Sequence, residues 1–185
     1  MRIEIDYRSS SGNIEQIGYA LKELLIDYDC RLADMDLNEP SLDSDVYLVG
    51  FGVRKNACPF STLEWIEQLE GKTILLFCTS ALHSIKGYQQ RIEAQIMPFL
   101  PEDCDYRGLV ICPAKMTKEE LTYLEGQMIQ NGKQENIAQL HRMYEESLSH
   151  PDRKDLLAVQ EFILERLKLN YEYRSLKVRM EGNGS

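Results

Sequence analysis

The sequence is poor in basic residues, and it has no apolar run long enough to cross a membrane. Its 185 residues include 21 Lys and Arg against 30 Asp and Glu, which gives a formal net charge of −9. This balance argues against non-specific nucleic-acid binding, which depends on basic side chains that neutralise phosphates. A membrane span needs about 20 consecutive apolar residues, and the N-terminus lacks the apolar core of a signal peptide. We therefore expect neither nucleic acid nor membrane as a partner.

Cysteine is scarce and its positions form no recognisable pattern. The five cysteines are odd in number and widely spaced, without a C-x-x-C pair or a Cys/His cluster. This arrangement predicts no metal site and favours a reduced, cytoplasmic protein. Cys58 and Cys78 fall near the ends of predicted central strands, and we interpret them as small buried hydrophobes rather than as reactive thiols.

Two common nucleotide-binding motifs are also absent. There is no G-x-x-x-x-G-K-[ST] sequence, which excludes a P-loop NTPase, and no G-x-G-x-x-G follows the first predicted strand. No Ser-His-Asp order or Cys-His pair indicates a hydrolase. None of these three motif-defined classes is therefore indicated by the sequence.

The apolar residues alternate between a strand-like and a helix-like period. Extended runs predict strands at residues 3–7, 30–35, 45–52, 72–79 and 107–112. Helical stripes separate several of them, at residues 13–25, 60–69 and 88–100. Parallel neighbours need crossover connections of this kind, so the pattern predicts an α/β protein with a parallel sheet.

After residue 113 the pattern becomes helical. Two apolar stripes between residues 114 and 150 predict a helical insertion, and Asp152 can cap a final helix that packs on the sheet. We expect one domain over residues 1–168 and a flexible tail over 169–185. The insertion either packs on its own domain or forms a lid or a dimer surface.

Three predicted loops meet at the carboxyl ends of the strands, where doubly wound sheets bind ligands. They cover residues 9–13, 50–58 and 79–87. The first loop, Arg8-Ser-Ser-Ser-Gly-Asn13, directs hydroxyl and backbone N–H groups towards the start of a helix, an arrangement that can bind a phosphate without lysine. An ordinary helix cap is an equally good interpretation of this loop.

The segment Ser9-Ser-Ser-Gly-Asn-Ile14 resembles the phosphate loop of flavodoxins, whose pattern is Thr/Ser-x-Thr/Ser-Gly-Asn-Thr. The resemblance extends through Val46-Tyr-Leu-Val-Gly-Phe51, Lys72-Thr-Ile-Leu-Leu-Phe77 and Ser149-His-Pro-Asp-Arg-Lys-Asp-Leu156. It covers most of residues 1–167. The blocks are most similar to short flavodoxin-like proteins of anaerobic bacteria, some of which are encoded beside bilirubin reductases and assist them.

The resemblance implies a three-layer sandwich, with a five-stranded parallel sheet between helices, that binds FMN non-covalently. By position, Ser9, Ser11 and Asn13 would hold the phosphate, and Gly12 would let the backbone approach it. The two other loops would flank the flavin ring. The cofactor-binding residues implied in this way are Ser9, Ser10, Ser11, Gly12, Asn13, Ile14, Gly52, Val53, Arg54, Thr79, Ser80, Ala81, Leu82 and His83.

The sequence departs from the family pattern at three places. Ile14 replaces the last hydroxyl of the phosphate loop, and Gly52, Val53 and Arg54 stand where a Trp or Tyr usually stacks on the flavin. In the third loop, the chain has Cys78, Leu82 and His83 where the related proteins tend to have a Gly-rich stretch with an aromatic residue. His83 either donates to a flavin atom or is a surface histidine. Three hypotheses follow, namely an FMN electron carrier for a cytoplasmic reductase partner, a flavin-free binding module, and a small NAD(P)H-dependent flavin or quinone reductase. Either a monomer or a homodimer is compatible with the sequence.

Overall fold

Five strands form a parallel sheet at the centre of the molecule. The computed structural model describes residues 1–9 and 11–169. The strands are β1 (Arg2–Arg8), β2 (Asp29–Asp34), β3 (Val46–Gly52), β4 (Thr73–Ser80) and β5 (Asp105–Pro113). Their spatial order is β2-β1-β3-β4-β5, and every neighbouring pair is parallel. The strand order reverses at β1 and β3, which are neighbours, and this reversal creates a crevice at their carboxyl ends.

Helices cover both faces of the sheet. They are α1 (Asn13–Leu24), α2 (Phe60–Ile66), α3 (Tyr88–Ile96), α4 (Lys118–Gln130), α5 (Ile137–Ser147) and α6 (Arg153–Leu167), with short 3-10 turns at Met97–Phe99 and Gln134–Asn136. Buried side chains of α1 and α6 share one core with the sheet, and those of α2 and α3 share the other. The predicted three-layer α/β sandwich is confirmed.

The central strands are covered on both faces, which explains their nearly continuous apolar sequences. Alternate residues of β3 point to opposite cores, so Leu48 packs with α1 while Val49 packs with α2. Gly50 is required by close packing, because a Cβ atom built there would lie 2.2 Å from the Phe77 ring on the neighbouring strand. The absence of a side chain at Gly50 therefore makes room for the largest side chain of β4.

The predicted helical insertion packs against its own domain. Leu124 of α4 and Leu140 of α5 are buried in the same core as α2 and α3, together with Met116 of the preceding loop. The packing holds the N-terminal end of α4 beside the carboxyl ends of the strands. Among the described residues, no helix has the length and apolarity that a membrane span requires.

The domain limits proposed from the sequence remain predictions. The model follows the chain through α6 as far as Leu169, one residue past the proposed boundary at 168. The remainder of the tail, residues 170–185, lies outside the described residues.

Two carboxylates are buried between β1 and α2. Glu4 and Asp6 have no exposed surface. Asp6 accepts a hydrogen bond from Trp65 Nε1 at 2.9 Å, and Glu4 lies 3.6 Å from Arg31 Nη1. Burial raises the pKa of Asp6 to about 7, and the nearby Glu4 contributes to the shift. Two buried oxygens, Glu4 Oε1 and Asp6 Oδ1, have no hydrogen-bond partner. A proton on Asp6 provides a donor for a hydrogen bond between the two carboxyl groups.

Candidate functional site

A cavity of about 270 Å³ opens at the carboxyl ends of the strands. The loops after β1, β3, β4 and β5 form its walls, and the start of α4 closes one side. We call it the carboxyl-end cavity. The following residues proposed from the sequence line it: Ser11, Asn13, Gly52, Val53, Arg54, Thr79, Ser80 and Ala81. Loops that are distant in the sequence therefore meet where a doubly wound sheet binds its ligand.

The first loop places the N-terminus of α1 at this cavity. Gly12 is the N-cap residue, with a left-handed φ of 81°, and no side chain caps the helix. The Gly12 N–H donates to Ser9 Oγ at 3.0 Å, and the Asn13 amide donates to the Lys115 carbonyl at 3.4 Å. The N–H groups of the first turn have no acceptor within the helix, so they are available to an anion.

The second loop is a tight turn between Arg54 and Ala57. Two backbone hydrogen bonds join these residues, at 3.0 Å and 2.9 Å, and the intervening Lys55 and Asn56 have φ values of 50° and 63°. Two successive left-handed residues are characteristic of a type I′ turn. The turn holds Arg54 and Lys55 at the cavity, where both are exposed.

The third loop is bonded to the second. The Val53 N–H donates to the Thr79 carbonyl at 3.0 Å. Ser80 Oγ accepts from the Leu82 N–H at 3.1 Å and donates to the Tyr88 hydroxyl at 3.2 Å. That hydroxyl in turn donates to Asn56 Oδ1 at 3.3 Å. The chain of bonds fixes two walls of the cavity relative to each other.

Several of the proposed residues do not line the cavity. The Ile14 side chain is buried in the core beneath α1, so only its backbone can face a ligand. Leu82 is buried in the other core, and His83 lines a separate, smaller cavity. Ser9 acts through the turn that it stabilises, and Ser10 lies outside the described residues. The proposed site residues as a set remain a prediction.

The structure adds an aromatic residue that sequence reasoning missed. Tyr123 of α4 is partly buried and lines the carboxyl-end cavity. Its ring centroid lies 5.5 Å from Lys55 Nζ, within the range of a cation–π contact. No tyrosine or tryptophan stands in the second loop, so helix α4 provides the aromatic surface here. The sequence shows Tyr123 only as an aromatic residue on an amphipathic helix. It does not indicate which loops that helix packs against.

Charges of both signs surround the cavity. Arg54, Lys55 and Lys115 line it together with Glu119 and Glu120 of the first turn of α4. Burial raises the pKa of Glu120 above its ordinary value. A protein with a net charge of −9 thus gathers three cations and two helix N-termini at one point, an arrangement that attracts anionic ligands.

The central cysteines are poor nucleophiles. Cys58 and Cys78 are buried. Burial raises the pKa of Cys58 to about 12 and that of Cys78 well above its ordinary value. Both groups therefore stay protonated near neutral pH, and the interpretation of them as buried hydrophobes is confirmed.

The chain is similar to a curated protein and to several solved structures. The chain is 25% identical over 167 residues to the flavodoxin-like domain-containing protein BilS of Clostridioides difficile strain CD3, covering 88% of this chain and 94% of that protein. Two solved structures are also similar. One is two-electron reduced flavodoxin from Megasphaera elsdenii, with 20% identity, a TM-score of 0.45, and coverage of 59% of this chain and 84% of that chain. The other is a Lactobacillus acidophilus NCFM flavoprotein in complex with FMN, with 12% identity, a TM-score of 0.47, and coverage of 60% and 92%.

The family itself is established by a match over most of the chain. The model of the flavodoxin domain matches residues 4–164, a span that runs from β1 into α6. The resemblance indicated by the loop at Ser9–Ile14 is therefore confirmed. The chain belongs to the flavodoxin domain family.

Proposed function

We propose that this protein binds FMN non-covalently in the carboxyl-end cavity and carries electrons to a cytoplasmic reductase partner. The observation that carries the proposal is the convergence of the loops after β1, β3 and β4 on one cavity at the reversal of strand order. Bound FMN supplies one- and two-electron redox chemistry, while the protein holds, orients and shields it.

The residues at the first loop fit a phosphate group. A Cβ atom at Gly12 would meet nothing within 4 Å, so the space in front of the helix is open to a ligand. Unpaired N–H groups at the start of α1 face this space, and Ser11 and Asn13 line it. Arg54 and Lys55 add positive charge from the opposite wall. In this site, backbone donors and helix polarity would bind the phosphate, with the two cations in support.

The residues at the second loop and α4 fit a flat aromatic ring. Val53 and Tyr123 supply an apolar and an aromatic surface to the cavity. Lys55 lies beside the Tyr123 ring, where its positive charge would favour a flavin ring that carries negative charge over a neutral ring. These residues would hold the flavin and exclude water from one side of it.

The charge of the whole chain suits transfer to a basic partner. A net charge of −9 accelerates encounter with a positively charged surface, and the effect weakens as ionic strength rises. The proposal therefore includes a partner with a basic docking face.

One observation favours a second candidate, a flavodoxin-like module that works without flavin. The hydroxyl of Ser9 already accepts the Gly12 N–H, and that of Ser80 is bonded on both sides. Two of the proposed ligand groups are thus engaged within the protein. If they keep these bonds, affinity for FMN depends on the backbone, Ser11, Asn13 and Tyr123.

Titration of the purified full-length chain with FMN tests the function. We expect flavin fluorescence to be quenched at a 1:1 stoichiometry. FMN at 100-fold above Kd should stabilise the protein by about 2.7 kcal/mol, which raises Tm by about 5–10 °C in a chain of this size. The reduced complex should then pass electrons to a one-electron acceptor protein.

Absence of both quenching and a Tm shift would overturn the flavin proposal and favour the second candidate. Direct and rapid oxidation of NAD(P)H by the FMN complex would instead identify a reductase. The basic partner is tested separately by the salt dependence of electron transfer. Added salt screens the attraction between this acidic protein and a basic docking face, so the rate of electron transfer should fall as the salt concentration rises.

Removal of the Tyr123 ring should weaken FMN binding. Aromatic stacking on a planar heterocycle contributes about 1–3 kcal/mol, so we expect Tyr123→Ala to raise the Kd for FMN by about 10–100-fold. Tyr123→Phe, which keeps the ring, should stay close to the wild type. Fluorescence titration measures each affinity.

Tyr19→Ala provides the matched control. Tyr19 is also a helical tyrosine, 54% exposed on α1, and it lines a different pocket. Its removal should leave the Kd for FMN unchanged. Equal Kd values for Tyr123→Ala and the wild type would show that α4 does not contact the flavin.

A further inference from the structure

A second, smaller cavity contains two of the three histidines of the chain. Its volume is about 150 Å³. His83 enters it from the loop after β4, and His150 enters it from the connection between α5 and α6. The two ring centroids are 6.2 Å apart, with the ring planes tilted by 60°. The topology thus brings two imidazoles from distant parts of the sequence close together.

Asp155 orients the His150 ring. His150 Nδ1 lies 2.5 Å from Asp155 Oδ2. Metal-binding histidines almost always have such an arrangement, in which one nitrogen bonds a carboxylate or a backbone carbonyl and the other binds the ion. The other nitrogen of His150 therefore remains for a ligand.

The carboxylate that orients His150 is itself held in place. Asp155 Oδ2 also accepts the Asp152 N–H at 2.7 Å, and the Asp152 side chain accepts the Asp155 N–H at 3.0 Å, which completes the capping box of α6. The helix cap therefore fixes the orientation of the imidazole before any ion arrives.

The separation of the two rings is close to that of a histidine pair on one metal ion. An ion bound to two imidazole nitrogens at about 2.1 Å holds the ring centroids about 5–6 Å apart, compared with 6.2 Å here. The cavity opens beside the exposed Glu146 of α5, so water can complete the coordination sphere, whereas the Ser147 hydroxyl is already bonded to the Met116 N–H and the Tyr144 carbonyl. The preference of imidazole for borderline transition metals sets the class of ion.

We propose that His83 and His150 bind a divalent transition-metal ion of the Zn²⁺ class, with water completing the coordination. The sequence alone predicted no metal site, because neither histidine belongs to a spaced motif. The site is independent of the proposed FMN function, although Ala81 and Ala114 line both cavities.

A different set of ligands is also available nearby. One ligand atom from each of His150, Asp152 and Asp155 lies within 4.8 Å of the others. Asp152, however, already accepts two backbone N–H groups as the N-cap of α6. Asp152→Asn keeps an oxygen for the cap, so it should leave metal affinity unchanged if His83 and His150 are the ligands.

Isothermal titration of the FMN-free full-length chain with Zn²⁺ tests the proposal. We expect one site, and we expect His83→Ala and His150→Ala each to weaken it by at least about 10-fold, the usual minimum for the loss of a residue that binds or orients a metal. His83 lies on an exposed loop, so His83→Ala keeps the test valid even if His150→Ala disturbs the cap of α6.

His141→Ala is the matched control. It removes the third histidine, which lies on α5 and also has a carboxylate partner, Glu125. This variant should bind Zn²⁺ within about 2-fold of the wild type, since surface substitutions away from a site change free energies by about 0.5 kcal/mol or less. Equal losses in His141→Ala and His83→Ala, or no 1:1 binding by the wild type, would overturn the proposal.

Co²⁺ spectroscopy separates histidine from thiolate binding. Cys30 and Cys104 are partly exposed, and thiolate ligands give Co²⁺ an intense near-ultraviolet charge-transfer band. The proposed site should show ligand-field bands without that band, and His83→Ala should abolish them. A strong charge-transfer band would assign the ion to cysteine and exclude the histidine pair.

Discussion

Gly12→Asp is expected to lower FMN affinity by at least about 100-fold. The substituted carboxylate would occupy the open space before the first turn of α1, where the phosphate is proposed to bind. Two like charges about 4 Å apart repel by about 4 kcal/mol at the effective dielectric constant of a protein surface. The substituted side chain would also accept the helix N–H groups that the phosphate needs. Fluorescence titration with FMN measures the loss.

Gly87→Asp separates this effect from backbone strain. Gly87 is the N-cap residue of α3, its φ of 75° is similar to that of Gly12, and a Cβ atom there also meets nothing within 4 Å. Both variants therefore place an aspartate in the left-handed region at a helix start, at a cost of about 1 kcal/mol of stability. Gly87→Asp should bind FMN like the wild type. An unchanged Kd in Gly12→Asp would place the phosphate elsewhere.

Asp6→Asn is expected to stabilise the protein above neutral pH by about 2–4 kcal/mol. The pKa of Asp6 rises from its ordinary value of 3.8 to about 7 in the folded state, so ionisation of this buried carboxyl opposes folding. An asparagine at this position would donate its side-chain N–H to Glu4, and its oxygen would still accept the Trp65 N–H. The free-energy cost of burying two oxygens without hydrogen-bond partners would then be removed. Chemical denaturation at a series of pH values measures the free energy of unfolding.

Asp6 also determines how the free energy of unfolding changes with pH. Because the folded state retains the Asp6 proton up to a higher pH than the unfolded state, its contribution to stability is largest at low pH. This contribution falls as pH rises from about 4 to about 7. Asp6→Asn should remove the decline, while Asp27→Asn, at an exposed turn, should keep it. A decline of equal size in Asp6→Asn and the wild type would show that Asp6 ionises freely.

The sheet was predictable because buried parallel strands have a distinctive sequence. Val46–Gly52 and Thr73–Ser80 are buried on both faces along almost their whole length, as expected for short parallel strands covered by helices on both sides. Strand β1 is also buried on both faces, but its polar residues do not indicate this. Glu4 and Asp6 alternate with Ile3 and Ile5 as in a strand with one solvent-exposed face, yet all four residues are buried. The alternation identified the strand but not its environment, since a partner such as Trp65 lies far along the chain.

The candidate site was only partly predictable, for a related reason. Ser11 and Asn13 lie in the loop after the first predicted strand, and Thr79 is the last residue of another, so topology alone brings them to one edge of the sheet. Tyr123 reaches the cavity through the packing of α4, and the meeting of His83 with His150 depends on how α5 leads into α6. Periodicity reports which side of a helix is apolar, and the direction of a helix axis after a long connection depends on tertiary packing.

The turn at Arg54–Ala57 has a consequence for the speed of binding. Lys55 and Asn56 occupy a left-handed backbone region that costs each about 1–2 kcal/mol, and hydrogen bonds across the turn and from Tyr88 offset this cost in the folded protein. The conformation of this wall is therefore fixed before a ligand arrives, and little conformational entropy is lost on association. For the proposed ligand, we therefore expect entry past Arg54 and Lys55 to depend on diffusion and charge attraction rather than on loop rearrangement.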